Sequence, residues 1–297
     1  MTRGGGPPAR GGQPTLGGRL FVVATPIGNL GDVTYRAVDV LRRVPLVAAE
    51  DTRLTRRLLN RYEVATRAVS YHARNAAARA PELLDHLRSG ADLAVVTDAG
   101  TPGVSDPGED LVRAWAAEGG DVIPIPGASA VLAAAAASGV AGPRWSFEGF
   151  LPRSGRERRD RLARIAADDR ATILFEAPSR VGATLHDLAV ACDAGRGAAV
   201  CRELTKLHEE IRRGTLGDLA RAAASEEIPA RGEFVVVVGP AAVAGASRQA
   251  PQAAELEAAR EQIARLRASG IPRGEATRQV AAATGLPRRH LYRERNE

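Results

Sequence analysis

The chain has 297 residues, 41 Lys plus Arg against 35 Asp plus Glu, and a formal net charge of +6. It is long enough for two modest α/β domains. No apolar run reaches bilayer length, and the two cysteines, Cys192 and Cys201, are too few for a disulfide framework or a cysteine zinc site. The charged start at Met1 is not followed by an apolar stretch, so a cytoplasmic protein without membrane or metal is the expectation.

Residues 1–18 are Gly/Pro-rich and predict a disordered tail. Leu20–Ala24 reads as a buried strand stopped by Pro26, Tyr35–Arg43 as a helix, Leu46–Ala49 as a strand, and Thr52–Tyr62 as a basic helix. A helix over Ala76–Arg88, a strand over Asp92–Thr97 and a Gly/Pro loop follow. Asp106-Pro107 predicts an N-cap and first-turn proline for a helix ending at Gly119. A strand over Asp121–Ile125 and a helix over Ala128–Ala137 complete the pattern. This alternation predicts an α/β domain over 19–127. Strands at Thr172–Phe175, Gly197–Cys201 and Glu233–Val238, with a helix over Arg180–Val190, predict a second over 128–240. Residues 252–297 read as a separate helical appendage. In it Glu275–Ala283, Thr284-Gly285 and Leu286–Arg293 have the spacing of a helix-turn-helix.

Three segments have ligand-binding character. Ala24-Thr-Pro-Ile-Gly-Asn-Leu-Gly-Asp32 follows the first strand and leaves backbone groups open to a ligand. Thr97–Gly108 carries three glycines and two prolines, which specify one backbone shape at a strand's carboxyl edge. Pro126-Gly-Ala-Ser-Ala130 turns a strand into a helix N-terminus, with Ser129 also suited to a plain cap. No Gly-x-Gly-x-x-Gly or Walker A segment is present, which disfavours dinucleotide-binding Rossmann enzymes and P-loop NTPases.

Thr25–Asp32, Ala49–Arg53, Asp98–Gly108, Pro126–Ala130, Phe175-Glu-Ala-Pro-Ser-Arg180 and Arg202-Glu-Leu-Thr-Lys-Leu-His-Glu-Glu210 occur in that order. As an ordered set they resemble the ribosomal RNA small-subunit methyltransferase I family, 16S rRNA (cytidine-2′-O)-methyltransferases of the tetrapyrrole-methylase superfamily. The resemblance covers about 19–240, and the helical tail is similar. It implies two α/β domains with S-adenosyl-L-methionine in the cleft between them, a homodimer, and 16S rRNA as partner. Naked RNA and the assembled small ribosomal subunit both remain open as the form bound, and the lack of a sequence-reading module favours the folded particle. It places Pro26, Gly28, Asp98, Ala99, Gly100, Thr101, Pro102, Ala128, Ser129 and Ala130 at the cofactor from the first domain, and Phe175, Ala177 and Leu204 from the second.

A ribose hydroxyl is a poor nucleophile, so a proton acceptor is expected beside it. Candidates are Glu50 at a strand end and Glu203 and Lys206 in the 202–210 segment. Lys206 is the one lysine in a chain that otherwise uses arginine, which suggests a role for a compact ammonium in orienting or deprotonating the hydroxyl; a surface ion pair is the alternative. Arg53, Arg153, Arg156, Arg158, Arg159, Arg288 and Arg289 are expected RNA contacts, with solvated helix faces as the alternative. Two other functions fit less well: a small-molecule methylase of the same fold, against which the Arg-rich stretches speak, and a ligand-sensing DNA-binding regulator, which would not need such dense cleft motifs.

Overall fold

In the computed structural model, residues 17–241, 253–284, 286 and 291 are described. The chain divides into two compact units, Met1–Ala241 and Ala242–Glu297.

The first unit holds two five-stranded sheets. The first sheet uses β1 (Leu20–Val23), β2 (Leu46–Ala49), β3 (Arg67–Ser70), β4 (Leu93–Val96) and β5 (Val122–Ile125), in the order β3-β2-β4-β1-β5. All its pairings are parallel, so each connection must cross over through a helix. Leu-Ala-Val-Val in β4 is buried along its whole length, as a central strand covered on both faces requires. Pro124 sits in β5, at the sheet's edge, where a missing amide is tolerated. Helices α1 (Tyr35–Arg43) and α2 (Thr52–Arg61) pack Val38, Leu41, Leu58 and Leu59 against Val23, Val47 and Val96. Helices α3 (Ala76–Arg88) and α4 (Glu109–Ala117) contribute Leu83, Leu87, Leu111 and Trp115 to a separate cluster with Leu20, Ala48 and Leu93. Odd and even strand positions thereby divide between the two covers.

Residue 108 rather than 106 caps α4. The Asp106-Pro107 pair expected there lies two residues early, and Asp106, hydrogen-bonded to the Thr97 side chain, faces a cleft instead.

The second sheet is mixed, with order β6-β7-β10-β8-β9 built from β6 (Trp145–Phe150), β7 (Ala171–Glu176), β8 (Gly197–Arg202), β9 (Glu210–Thr215) and β10 (Phe234–Val238). Only the β6–β7 pair is parallel. Helices α6 (Gly155–Ala167), α7 (Val181–Cys192) and α8 (Leu216–Ala224) cover one face through Leu162, Leu188 and Leu219. Helix α5 (Ala130–Ser138) places Val131 and Ala134 on the other, against Ile173, Ala199 and Val235. The same cluster takes in Ile27 from the loop after β1, so that loop rests on the second sheet.

The second unit contains α9 (Ala253–Ala268) and α10 (Arg273–Thr284), with Ala259, Ile263, Ala276, Val280 and Leu291 as its core. Arg288, Arg289 and the helix expected over Leu286–Arg293 lie outside the described residues, apart from Leu286 and Leu291. Among the described residues no helix is long and apolar enough to cross a membrane.

Candidate functional site

The carboxyl ends of parallel strands leave their last backbone groups unpaired, and helices begin there; ligands of open α/β sheets bind at this edge. Here the loops after β1 and β4 are locked together. Thr25 N–H donates to Gly100 O at 2.8 Å, Gly100 N–H returns to Thr25 O at 3.1 Å, and the Thr25 hydroxyl donates to Thr97 O at 3.0 Å. Ser129 caps α5, accepting from Leu132 N–H. Between these loops and the β7 and β10 ends of the second sheet is a cleft of about 340 Å³. Its walls include Ile27, Ala99, Gly100, Thr101, Ser129, Ala130, Val131, Phe150, Phe175, Ala177 and Val235. Phe175 packs on Phe147 and Phe150, with ring centroids 5.0 and 5.6 Å away.

Carboxylates gather on the first-sheet side. Glu50 Oε2 accepts from the Thr97 hydroxyl at 2.7 Å and from Asp98 N–H at 3.2 Å. Asp98 Oδ1 accepts from Asp51 N–H at 2.8 Å, and Asp51 caps α2. Asp106 faces the cleft, and burial, reinforced by the nearby Glu50 charge, pushes its carboxyl up to about 6. Burial and Glu50 raise Asp98 too. These shifts single out Asp106 as the cleft group whose charge changes near neutrality. Among the described residues no group of three His, Cys, Asp or Glu is arranged to hold a metal ion.

On the second-sheet side, the β8–β9 connection carries Lys206. Its ammonium is 2.8 Å from Glu203 and 3.0 Å from Glu233, which also lines the cleft. Burial pulls its pKa down, but hydrogen bonds to Glu203 and Glu233 outweigh burial and raise it. The hydrogen bond from Lys206 in turn lowers Glu203. Both groups are therefore held charged. Glu203 and Thr205 have positive φ, at 51° and 67°, the marks of a tightly bent segment. Two glycines make room: a Cβ at Gly28 would lie 2.5 Å from Lys206 Cγ, and one at Gly232 would lie 2.6 Å from Glu203 Cγ. Gly28 thus belongs to the bed under Lys206.

The tetrapyrrole (corrin/porphyrin) methylase family model matches residues 19–220. A ribosomal RNA small subunit methyltransferase I from Synechocystis is 47% identical over 93% of this chain and 96% of its own. The Bacillus subtilis protein of that name is 38% identical over 93% of each. The chain belongs to the tetrapyrrole methylase family. Within that family it groups with the small subunit methyltransferase I proteins. Among solved structures, Thermus thermophilus uroporphyrin-III C-methyltransferase complexed with S-adenosylhomocysteine superposes with a TM-score of 0.55. That match has 19% identity and covers 75% of this chain and 97% of the other. A cobalt precorrin-4 methyltransferase gives 0.56 at 19% identity, covering 74% and 94%. Both likenesses are of fold.

In this methylase Ala99, Gly100, Thr101, Ser129, Ala130, Phe175 and Ala177 all line one cleft. Ala128 borders an adjoining depression with Pro126, Ser129 and Thr205. Pro26 and Pro102 are buried and Leu204 is packed in the core with Ile27, so these three shape the walls from behind. Asp98 stands back from the cleft as the acceptor for Asp51. Asp106 and Glu233 line the cleft and are missed by sequence reasoning, because Asp-Pro before a helix reads as a cap and Glu233 reads as the start of a strand.

The expected RNA contacts divide. Arg158 is withdrawn from the set: it is buried, paired with Asp187 at 2.8 Å, and donates to Pro152 O and Thr184 Oγ1. Arg156 is exposed but lies 3.6 Å from Asp160. Arg153 and Arg159 are exposed on or beside α6. Arg53 is exposed, with its guanidinium held on Asp51 at 2.6 Å.

Proposed function

We propose that this methylase transfers a methyl group from S-adenosyl-L-methionine to the 2′-hydroxyl of a cytidine ribose in 16S ribosomal RNA of the small subunit. The observation that carries the reading is the apolar cleft with a carboxylate edge, in a chain of this family. The cleft fits a cationic nucleoside. Apolar walls suit a purine ring, the amides of Ala99 and Thr101 have no partner among the described residues, and Asp106 and Glu233 offset positive charge. Ala99–Thr101, Ser129–Ala130, Phe175 and Ala177 would hold the donor, which when bound supplies an electrophilic methyl carbon on a sulfonium.

The chain's own groups then have three tasks. Ile27, Val131, Phe175 and Val235 exclude water, which would otherwise compete with the ribose oxygen. Asp106 accepts the ribose proton at a carboxylate oxygen; a carboxyl near 6 is ionised at neutral pH yet more basic than an ordinary aspartate. Glu50 helps keep it so through its charge. Lys206, locked to Glu203 and Glu233, stays protonated and orients the ribose-phosphate at the mouth, leaving proton removal to the carboxylate.

The assembled small subunit is the substrate and a homodimer the working form in this reading. Exposed Leu132, next to the cleft residue Val131, and exposed Leu207, next to Lys206, are apolar surface that a second copy would cover. A cytoplasmic location goes with that substrate. Incubating the protein with unmodified small subunits and labelled donor tests the reaction. Nucleoside mass analysis should find 2′-O-methylcytidine, and label on a base, or none on the RNA, would overturn it.

A further inference from the structure

We infer that the outer face of α2 is the surface on which the substrate RNA lays its phosphates on the way to the cleft. This rests on the proposed RNA methyltransferase function and assigns its docking surface. Helix α2 reads Thr-Arg-Leu-Thr-Arg-Arg-Leu-Leu-Asn-Arg. Thr55, Leu58 and Leu59 are its buried residues, packed inward at helical spacing. Arg56, Arg57, Asn60 and Arg61 are therefore left on the solvent side, and all are exposed.

The helix contains no acidic residue, and Arg56, Arg57 and Arg61 make no ion pair among the described residues. This separates α2 from the other arginine-rich helix. On α6, Arg158 is spent on Asp187, Arg161 on Glu148, and Arg156 faces Asp160. Internal carboxylates neutralise much of that face. A polyanion gains most where cations have no prior partner to give up, so the charge pattern favours α2.

Position agrees with charge. Both ends of α2 are fixed to loops that wall the cleft. At its start, Asp51 N–H donates to Asp98 Oδ1 at 2.8 Å, and Glu50, the preceding residue, accepts from Thr97. At its end, the Tyr62 hydroxyl donates to Leu30 O at 2.6 Å, in the loop after β1. Ten residues give a rod about 15 Å long, rigidly registered to the methyl-transfer edge. Guanidinium groups engage phosphate oxygens through paired N–H donors, and such bonds set register without reading sequence.

The test is RNA binding across a salt series. Each phosphate that the protein no longer neutralises should lower the log–log salt slope by about 0.7 to 0.9. The R56E/R57E/R61E variant should therefore show a slope shallower by about 2 and bind small-subunit RNA at least ~10-fold more weakly at low salt. Its uptake of S-adenosylmethionine by calorimetry should match wild type, since none of the three lines the cleft. An unchanged slope and affinity would overturn the assignment, as would a larger effect from R153E/R159E on the α6 side. The binding series needs no methyl transfer. A wild-type protein that bound RNA through α2 but formed no 2′-O-methyl product would count against the reaction and not against the surface.

Discussion

The Lys206 ammonium lies 2.8 Å from Glu203 Oε1 while its aliphatic stem rests on the backbone of Gly28, so one side chain bridges the β8–β9 connection and the loop after β1. An arginine keeps the charge but replaces the compact ammonium held between Glu203 and Glu233 with a broad planar fork. Lys206→Arg is expected to cut turnover about 10-fold, equivalent to about 1.4 kcal/mol in the barrier. Gly28→Ala should do the same by displacing Lys206. Donor affinity should stay within a factor of about three in both, because neither residue walls the cleft. Steady-state turnover with calorimetry checks this, and near-normal turnover of the arginine variant would remove Lys206 from any positioning role.

Asp106 gives two linked expectations. As proton acceptor, its loss in Asp106→Asn should reduce kcat about 100-fold or more. The wild-type kcat/KM profile should fall on the acid side with a midpoint near 6, the value to which burial and Glu50 push the carboxyl. For stability the sign is opposite to that of a salt-bridged aspartate. The folded pKa lies above the ordinary 3.8, so ionising Asp106 costs the folded state at every pH above about 6, and the cost fades as pH falls through 6 toward 4. The asparagine variant should thus be more stable than wild type at pH 8, by about 1 to 3 kcal/mol once solvent screening of a partly exposed group is allowed for. It should keep about half of that advantage at pH 5 and lose it near pH 4. Urea titrations at these pH values decide it; equal stability at pH 8 would mean the carboxyl is not strained.

Much of this is legible in the chain. Tyr35–Arg43 and Leu46–Ala49 fold as the periodicity says, because a strong apolar stripe or a four-residue apolar run leaves one interpretation. The loops at 97–108 and 126–130 both contribute to one cleft wall, and glycine and proline fix their backbone shape locally. Elements with little apolar signal are not visible. β3 offers only Ala68 and Val69 at an edge, and β9 alternates Ile211 with charged residues. α6 has Leu162 and Ile165 as its only buried apolar residues among many charges. Thr215 and Asp218 form a capping box that could have announced α8. Arg158 is misread for a related reason: a charge run gives no hint of which member turns inward to meet a carboxylate twenty-nine residues away.

That inward turn has a measurable consequence. Arg158 bonds Asp187, Pro152 O and Thr184, and Thr184 in turn donates to buried Glu176 at 2.6 Å. Asp187 is partly exposed, which moderates the cost of leaving it alone. Arg158→Ala is expected to destabilise the protein by about 2 kcal/mol, with RNA affinity and its salt slope unchanged. A drop in slope without a drop in stability would return Arg158 to the RNA-binding set.

Arg196 presents a buried cation with no carboxylate partner among the described residues. Its guanidinium donates to Gly239 O at 2.7 Å, Ile165 O at 2.9 Å, and Ala166 O and Asp168 O at 3.2 Å. The Ile165 and Ala166 carbonyls belong to the last turn of α6, where helical partners run out, and Gly239 follows β10. One side chain therefore closes the helix end and ties it to the sheet. Burial lowers the Arg196 pKa, yet it stays far above neutrality for a guanidinium, so the tie holds throughout the working pH range. Arg196→Met fills the space and leaves Gly239 O and Ala166 O unpaired, whereas Ile165 O and Asp168 O keep the amides of Asp168 and Ala241. Each orphaned carbonyl costs about 1 to 3 kcal/mol where water cannot reach it. A total loss of about 3 kcal/mol is expected, with Arg196→Lys intermediate because an ammonium has three donors and a narrower reach. Chemical denaturation followed by the fluorescence of Trp145, which lies in the same sheet, would register it. A methionine variant as stable as wild type would show that these carbonyls are satisfied without the arginine.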